Sequence, residues 1–258
     1  MQSEAMTNVI DGAPARHLAL AGAPNFRDLG GYATASGKHV RWRQLFRTNA
    51  LGAALPAHAQ AVLRDMGLGT VCDLRGVAER AHRPTQLAGV RVLHLPIEPA
   101  ILARLQDAQA QGQALTADLA HAAMLQSYRN LVLRWSPVLR EMFQVLLATE
   151  HPLAFHCTAG KDRTGLVAAL ILSALEVPRA TVWQDYLLSQ QYWTEPPRAV
   201  PGMSADVLRV VNGVDAAFLG AAFDVIDTAH GGMAAYLEGQ LGLGAAEYTV
   251  LRQRYLQS

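Results

Sequence analysis

Apolar residues recur along this chain in two rhythms: short unbroken runs and a repeat of three to four. The runs Gln44–Arg47, Thr70–Leu74, Val90–Leu95 and Pro152–Phe155 predict strands, the last of them fully buried. Leu166–Leu175 is apolar on nearly every face and predicts a buried helix. Further helices follow from their punctuation. One opens at Pro56 and runs to Met66, where Gly67 stops it. Thr116 caps another that reaches Trp135, and Ser136-Pro137 ends it and opens the next, to Ala148. Arg179–Gln190 predicts a helix after the buried one. From about Ala205 to Thr228, Val211, Val214, Phe218, Ala222 and Val225 fall at amphipathic spacing on a single helix, stopped by Gly231-Gly232. Two short helices complete the chain. Gly37 marks a small hairpin. Residues 98–112 are polar, rich in Ala and Gln and weakly periodic, and no element is assigned there.

Strands alternating with helices predict an α/β fold, a central mostly parallel sheet flanked by helices. Ligands of such sheets sit beyond the C-terminal strand ends, where Asp73 and His156 both fall. There is no internal repeat and no compositional linker. The expected organisation is a flexible arm over residues 1–16 and one domain over 17–258.

Composition narrows the function classes. Of 258 residues, 51% are hydrophobic and 17% charged, which supports a sizeable core. A formal net charge of +1 gives no bulk attraction for nucleic acid or anionic membrane. No basic region followed by an apolar stretch opens the chain, and no apolar run approaches the roughly 20 residues that span a bilayer. The expectation is a cytoplasmic protein without stable membrane insertion. The two cysteines, Cys72 and Cys157, form no disulfide framework, and the nine histidines show no metal-ligand spacing. Neither a metal nor a cofactor is expected.

The chemistry concentrates in His156-Cys157-Thr158-Ala159-Gly160-Lys161-Asp162-Arg163-Thr164-Gly165, between the buried strand and the buried helix. A strand, a polar loop and a helix N-terminus bring backbone N–H groups together and add the positive end of the helix dipole, an anion site. Cys157 stands where a thiolate can attack phosphorus. Arg163 supplies a planar fork that matches two phosphoryl oxygens. The backbone of Thr158, Ala159, Gly160 and Lys161 offers donors, Gly160 permits the tight turn, and Thr164 places a hydroxyl for the leaving thiolate.

This pattern resembles the active-site signature of the protein tyrosine phosphatase superfamily. The Lys161-Asp162 pair narrows the resemblance to the atypical bacterial and fungal tyrosine phosphatases, of which a mycobacterial enzyme is typical. Asn25-Phe26-Arg27-Asp28, Leu45-Phe46-Arg47-Thr48, Asp73-Leu74-Arg75 with Glu79, and Asp185-Tyr186-Leu187 agree with it from about Leu18 onward. The resemblance implies a cysteine-phosphatase fold and phosphomonoester hydrolysis on phosphotyrosine, with phosphoserine, phosphothreonine and phosphoinositides as further substrates and inorganic phosphate as product. It implicates Asp162 as general acid and makes the segment over 196–230 a hinge and lid helix; Asp73, at the end of a neighbouring strand, is the alternative acid.

Other residues carry two readings. Lys161 either meets a second phosphate or is a locally paired charge, and Asp162 is either the acid or a structural carboxylate. His156 is expected to shape the loop from within. Arg47, Arg75 and Glu79 are expected to form one ion network beneath it, and Asn25, Arg27 and Asp28 to fix a turn. The rival functions are a phosphoinositide phosphatase, a sulfurtransferase and a non-catalytic phospho-ligand module. A Walker nucleotide loop is excluded, because Lys161 is followed by Asp rather than Ser or Thr.

Overall fold

The computed structural model describes residues 9–10, 13–52, 55–98, 100–194, 200 and 202–258. The first half comprises β1 (Val9–Ile10), β2 (Ala13–Pro14), β3 (Arg27–Asp28), β4 (His39–Val40), β5 (Leu45–Thr48), α1 (Ala57–Asp65), β6 (Thr70–Asp73), α2 (Val77–His82), β7 (Arg91–His94) and α3 (Ile101–Ala110). The long helix α4 (Ala117–Ala148), β8 (Leu153–His156) and α5 (Arg163–Ala174) form the middle. Then come α6 (Arg179–Leu187), α7 (Ser189–Tyr192), α8 (Ala205–Asn212), α9 (Ala216–Ala229), α10 (Met233–Gly239), α11 (Ala245–Tyr255) and β9 (Leu256–Gln257).

Five strands pair in the order β3-β5-β8-β6-β7, with only the edge pair β3–β5 antiparallel. The register sets Thr48 and Asp73 on either side of His156, so three strands end together at one edge of the sheet. Alternation along the strands sorts their side chains between two faces. Leu45, Cys72, Leu153 and Phe155 meet α4, α5 and α9 on one face. Phe46, Val71 and Ala154 meet α1 on the other. Helix α5 is buried along nearly its whole length, which explains why its sequence is apolar all round.

Several elements differ from the sequence reading. Helix α4 does not break at Ser136-Pro137; Pro137 lies inside one helix of 32 residues. A proline there removes the bond to the carbonyl four residues earlier, that of Leu133, which is 55% exposed and open to water. The Ser136 hydroxyl also donates to the Val132 carbonyl at 2.7 Å, holding the turn before the proline. The expected single helix from Ala205 to Thr228 is two, because Asp215 caps α9 with a side-chain bond to the Ala217 N–H. Polar residues 98–112, left without an element, contain α3, whose one buried residue, Leu105, docks on Ala120 and Val207.

Of the expected arm, residues 1–8, 11 and 12 lie outside the described residues, while β1 and β2 pair antiparallel. Of the expected hinge, 195–199 and 201 lie outside them as well. Among the described residues, no helix is long and apolar enough to cross a membrane.

Candidate active site

Cys157 and Arg163 bound a loop that leaves β8 at the sheet edge and enters α5. Its carbonyls are held from outside. The Cys157 carbonyl accepts from His156 Nδ1 at 3.0 Å, that of Thr158 from the Ala50 N–H at 3.0 Å, that of Ala159 from Asn25 Nδ2 at 2.9 Å, and that of Gly160 from Arg47 Nη2 at 2.9 Å. In a planar trans peptide the N–H points opposite its carbonyl, so four outward carbonyls turn four successive N–H groups toward the loop's interior. Gly160 sits at φ 71°, and a Cβ there would lie 2.3 Å from the Thr48 carbonyl oxygen, so no other residue fits.

His156 is fully buried at the base of the loop. Burial pushes its pKa down to about 4 against the opposing charge of Asp73, so the ring is neutral. Nδ1 faces the Cys157 carbonyl at 3.0 Å, and Nε2 lies 3.2 Å from the Thr85 hydroxyl oxygen.

Arg163 has one edge of its guanidinium already engaged. Nη1 donates to Glu79 Oε2 at 2.6 Å and to the Ile97 carbonyl at 3.0 Å, and Nη2 donates to Glu79 Oε1 at 2.9 Å. Of its five N–H groups, the Nε–H and one Nη2–H remain, side by side on the other edge, which is the pairing that grips two oxygens of a phosphoryl group. Glu79 also accepts from the Thr158 hydroxyl. The charges expected to form one network are therefore three separate pairs: Glu79 with Arg163, Asp73 with Arg75, and Asp185 with Arg47.

Asp73 is poorly suited to donate a proton. It is fully buried, and both oxygens are held: Oδ1 by Arg75 Nε at 2.9 Å and the Arg75 N–H at 3.0 Å, Oδ2 by Arg75 Nη2 at 2.7 Å and the Thr85 hydroxyl at 3.0 Å. Burial opposes ionisation, but these bonds and the nearby cations outweigh it and hold the carboxyl at about 2. Arg75 acts on the loop only indirectly, through Thr85 and His156.

Lys161 is locally paired in this structure. Its ammonium donates to Asp162 at 2.9 Å, to the Val211 carbonyl at 3.0 Å and to the Gly213 carbonyl at 2.9 Å, which accounts for all three N–H groups. Asp162 also accepts from the Tyr128 hydroxyl at 2.7 Å. The Thr164 hydroxyl is buried with no hydrogen-bond partner among the described residues.

The structure adds residues that the sequence pattern did not bring forward. Tyr128 arrives from α4, 29 positions before Cys157, and no motif marks it. Asp185, seen only as part of a matching segment, anchors Arg47 at 2.6 Å and accepts from the Tyr32 hydroxyl at 3.0 Å. Arg27 meets the same residue directly, donating to the Asp185 carbonyl at 3.2 Å, and shares the Ser189 hydroxyl with Arg47. A cavity of about 330 Å³ opens over Cys157, walled by Glu79 and Arg163 on the charged side and by Ile101, Trp135, Leu208 and Val211 on the apolar side. Among the described residues, no three His, Cys, Asp or Glu side chains are grouped to hold a metal ion.

Known proteins resemble this chain over most of its length. A putative tyrosine-protein phosphatase of Cupriavidus necator is 32% identical over 253 residues, covering 93% of this chain and 89% of its own. The triple specificity protein phosphatase PtpB of Mycobacterium tuberculosis is 32% identical over 275 residues, covering 91% of this chain and 96% of its own. The crystal structure of TpbA from P. aeruginosa aligns with 74% of this chain and 96% of its own, at 19% identity and a TM-score of 0.33. A sequence model described as the tyrosine phosphatase family matches residues 18–257, and the chain belongs to that family.

Proposed function

We propose that this protein hydrolyses phosphotyrosine through a cysteinyl-phosphate intermediate, with the chemistry confined to the loop Cys157–Arg163. The observation that carries this reading is Arg163, held by Glu79 along one guanidinium edge and lining the same cavity as Cys157. Cys157 Sγ attacks phosphorus while the bond to the leaving oxygen breaks and Arg163 and the loop N–H groups take up charge on the equatorial oxygens. The leaving oxygen takes a proton from Asp162, which in this structure lines the same cavity. Water then attacks the cysteinyl-phosphate and returns a proton to Asp162. Inorganic phosphate departs, and the thiolate that leaves is met by the Thr164 hydroxyl.

The substrate class follows from the walls. Aromatic and aliphatic side chains over the loop suit an aryl ester. A phosphoinositide, which the resemblance implies as a further substrate, finds no spare Lys161 N–H for a second phosphate while that ammonium is engaged as it is here. The triple specificity in the name of the mycobacterial relative is reason to assay phosphoserine and phosphothreonine peptides beside phosphotyrosine. We read residues 17–258 as one phosphatase unit, with α8 as part of the cover over its cavity. The free thiols Cys72 and Cys157 suit the reducing cytoplasm.

The decisive experiment is Cys157→Ser on an aryl phosphate and on a phosphotyrosine peptide. Turnover should vanish while inorganic phosphate still protects the variant against thermal unfolding. Wild-type turnover in that variant would remove the mechanism.

A further inference from the structure

Two buried tyrosines stand in line behind the loop carboxylate. Tyr128 Oη lies 2.7 Å from Asp162 Oδ1 and 2.7 Å from Tyr186 Oη. The direction of this chain follows from valence. Tyr128 gives its one proton to Asp162 Oδ1, so it can only accept from Tyr186, whose proton points to it. Both rings are fixed by packing: Tyr128 meets Tyr186 edge-on and lies against Phe218 of α9, and neither ring is more than 1% exposed. Burial, with Asp162 and Tyr186 beside it, pushes the Tyr128 phenol well above its ordinary value, so it stays a donor.

Among the described residues, Asp162 has one other side-chain partner, Lys161, and the two are not equivalent. The Lys161 ammonium belongs to the loop itself and is shared with the α8 carbonyls and with both carboxylate oxygens. Tyr128 comes from the core helix α4 on the far wall and holds a single oxygen. A carboxyl group that must give a proton to one leaving oxygen needs one oxygen pinned and the other turned to the cavity.

We infer that Tyr128, steadied by Tyr186, is the positioning residue that sets the orientation of Asp162 for proton transfer to the leaving group. The inference rests on Asp162 being the general acid. Neither tyrosine touches the reacting atoms; the effect runs through Asp162 alone. It is therefore confined to substrates whose leaving group needs a proton.

Tyr128→Phe keeps the ring and its packing and removes only the hydroxyl. Turnover of phenyl phosphate, whose leaving group is strongly basic, should fall about tenfold, as for one hydrogen bond lost to a charged group. Turnover of para-nitrophenyl phosphate, which needs little proton assistance, should change by less than about twofold. KM should hold for both. Tyr186→Phe should show the same selectivity with a smaller loss, and it provides a second reading if Tyr128→Phe lowers the melting temperature. In an Asp162→Asn background, adding Tyr128→Phe should cost nothing further. Equal losses on both substrates, or full additivity in the double variant, would overturn the inference. If Asp162→Asn shows leaving-group selectivity and Tyr128→Phe does not, the positioning role alone fails. If Asp162→Asn shows none, the assignment of the acid fails and the inference with it, while the Cys157 test stands independently.

Discussion

Arg163 commits three of its five N–H groups to Glu79 and Ile97 before any phosphoryl group arrives. Glu79 thus works as an aligning partner, and burial of the guanidinium is outweighed by that carboxylate, which raises the arginine pKa. In Glu79→Gln one bond of the pair is lost and an amide N–H faces the guanidinium. We expect kcat/KM on an aryl phosphate to fall about tenfold, as for one lost bond to a charged group, with phosphate binding weakened in parallel. Tighter phosphate binding in that variant would make Glu79 a competitor for Arg163 instead of its support. At this scale the loop was legible because its chemistry is local: the nucleophile, the clamp and the glycine lie within seven positions of each other. Which charge each partner meets was not legible, since Glu79, Asp185 and Tyr128 stand 78, 28 and 29 positions away from Cys157.

At the scale of elements, Lys161 ties the phosphate loop to helix α8. A lysine that donates to the last carbonyls of a helix satisfies groups the helix leaves open and opposes its dipole. Helix α8 has little else to hold it, with Val207 its one buried residue, packed in a small cluster with Leu105 and Ala120. Helix α9, by contrast, buries Phe218, Leu219, Phe223 and Ile226 in the main core. Lys161→Met should therefore speed amide hydrogen exchange in Ala205–Asn212 by about tenfold or more, since local opening tracks buried contacts, and leave Ala216–Ala229 unchanged. Equal acceleration in both helices would show general destabilisation. The periodicity that merged these helices into one was real on its apolar side. What it missed was Asp215, whose side chain closes the N-terminus of α9.

Across the whole molecule, buried titratable groups set an unusual pH profile. Burial disfavours the anions of Asp73 and Glu79, but bonds from Arg75 and Arg163 outweigh it and hold both at about 2, against ordinary values of 3.8 and 4.5. Their stabilisation is present above those ordinary values and is lost as pH falls toward 2. Burial depresses His156 from 6.5 to about 4, so the unfolded chain binds a proton that the fold refuses, and stability falls as pH drops from 6.5 to 4. Asp28 runs the other way. Burial raises it from 3.8 to about 6 despite N–H bonds from Gly30 and Arg43, so the fold gains stability as pH drops from 6 to 3.8. The last two offset each other. We expect unfolding free energy to be nearly level between pH 6 and 4 and to fall steeply below. Asp28→Asn should remove the level stretch and expose a decline that begins near pH 6.5. A flat profile in that variant would show that His156 does not carry the opposing slope.

The sequence by itself determined the alternating α/β architecture, the loop and its three chemical groups, because each rests on neighbours in the chain. Strand runs, helix caps and the span from Cys157 to Arg163 need no tertiary contact to be read. The tertiary structure alone decided which charge meets which. Lys161 was bonded to the end of α8, Asp73 was sealed beneath Arg75, and Asp162 was handed to Tyr128. Those choices depend on which helix packs over the sheet edge and how far each side chain reaches, and packing between distant segments leaves no local pattern.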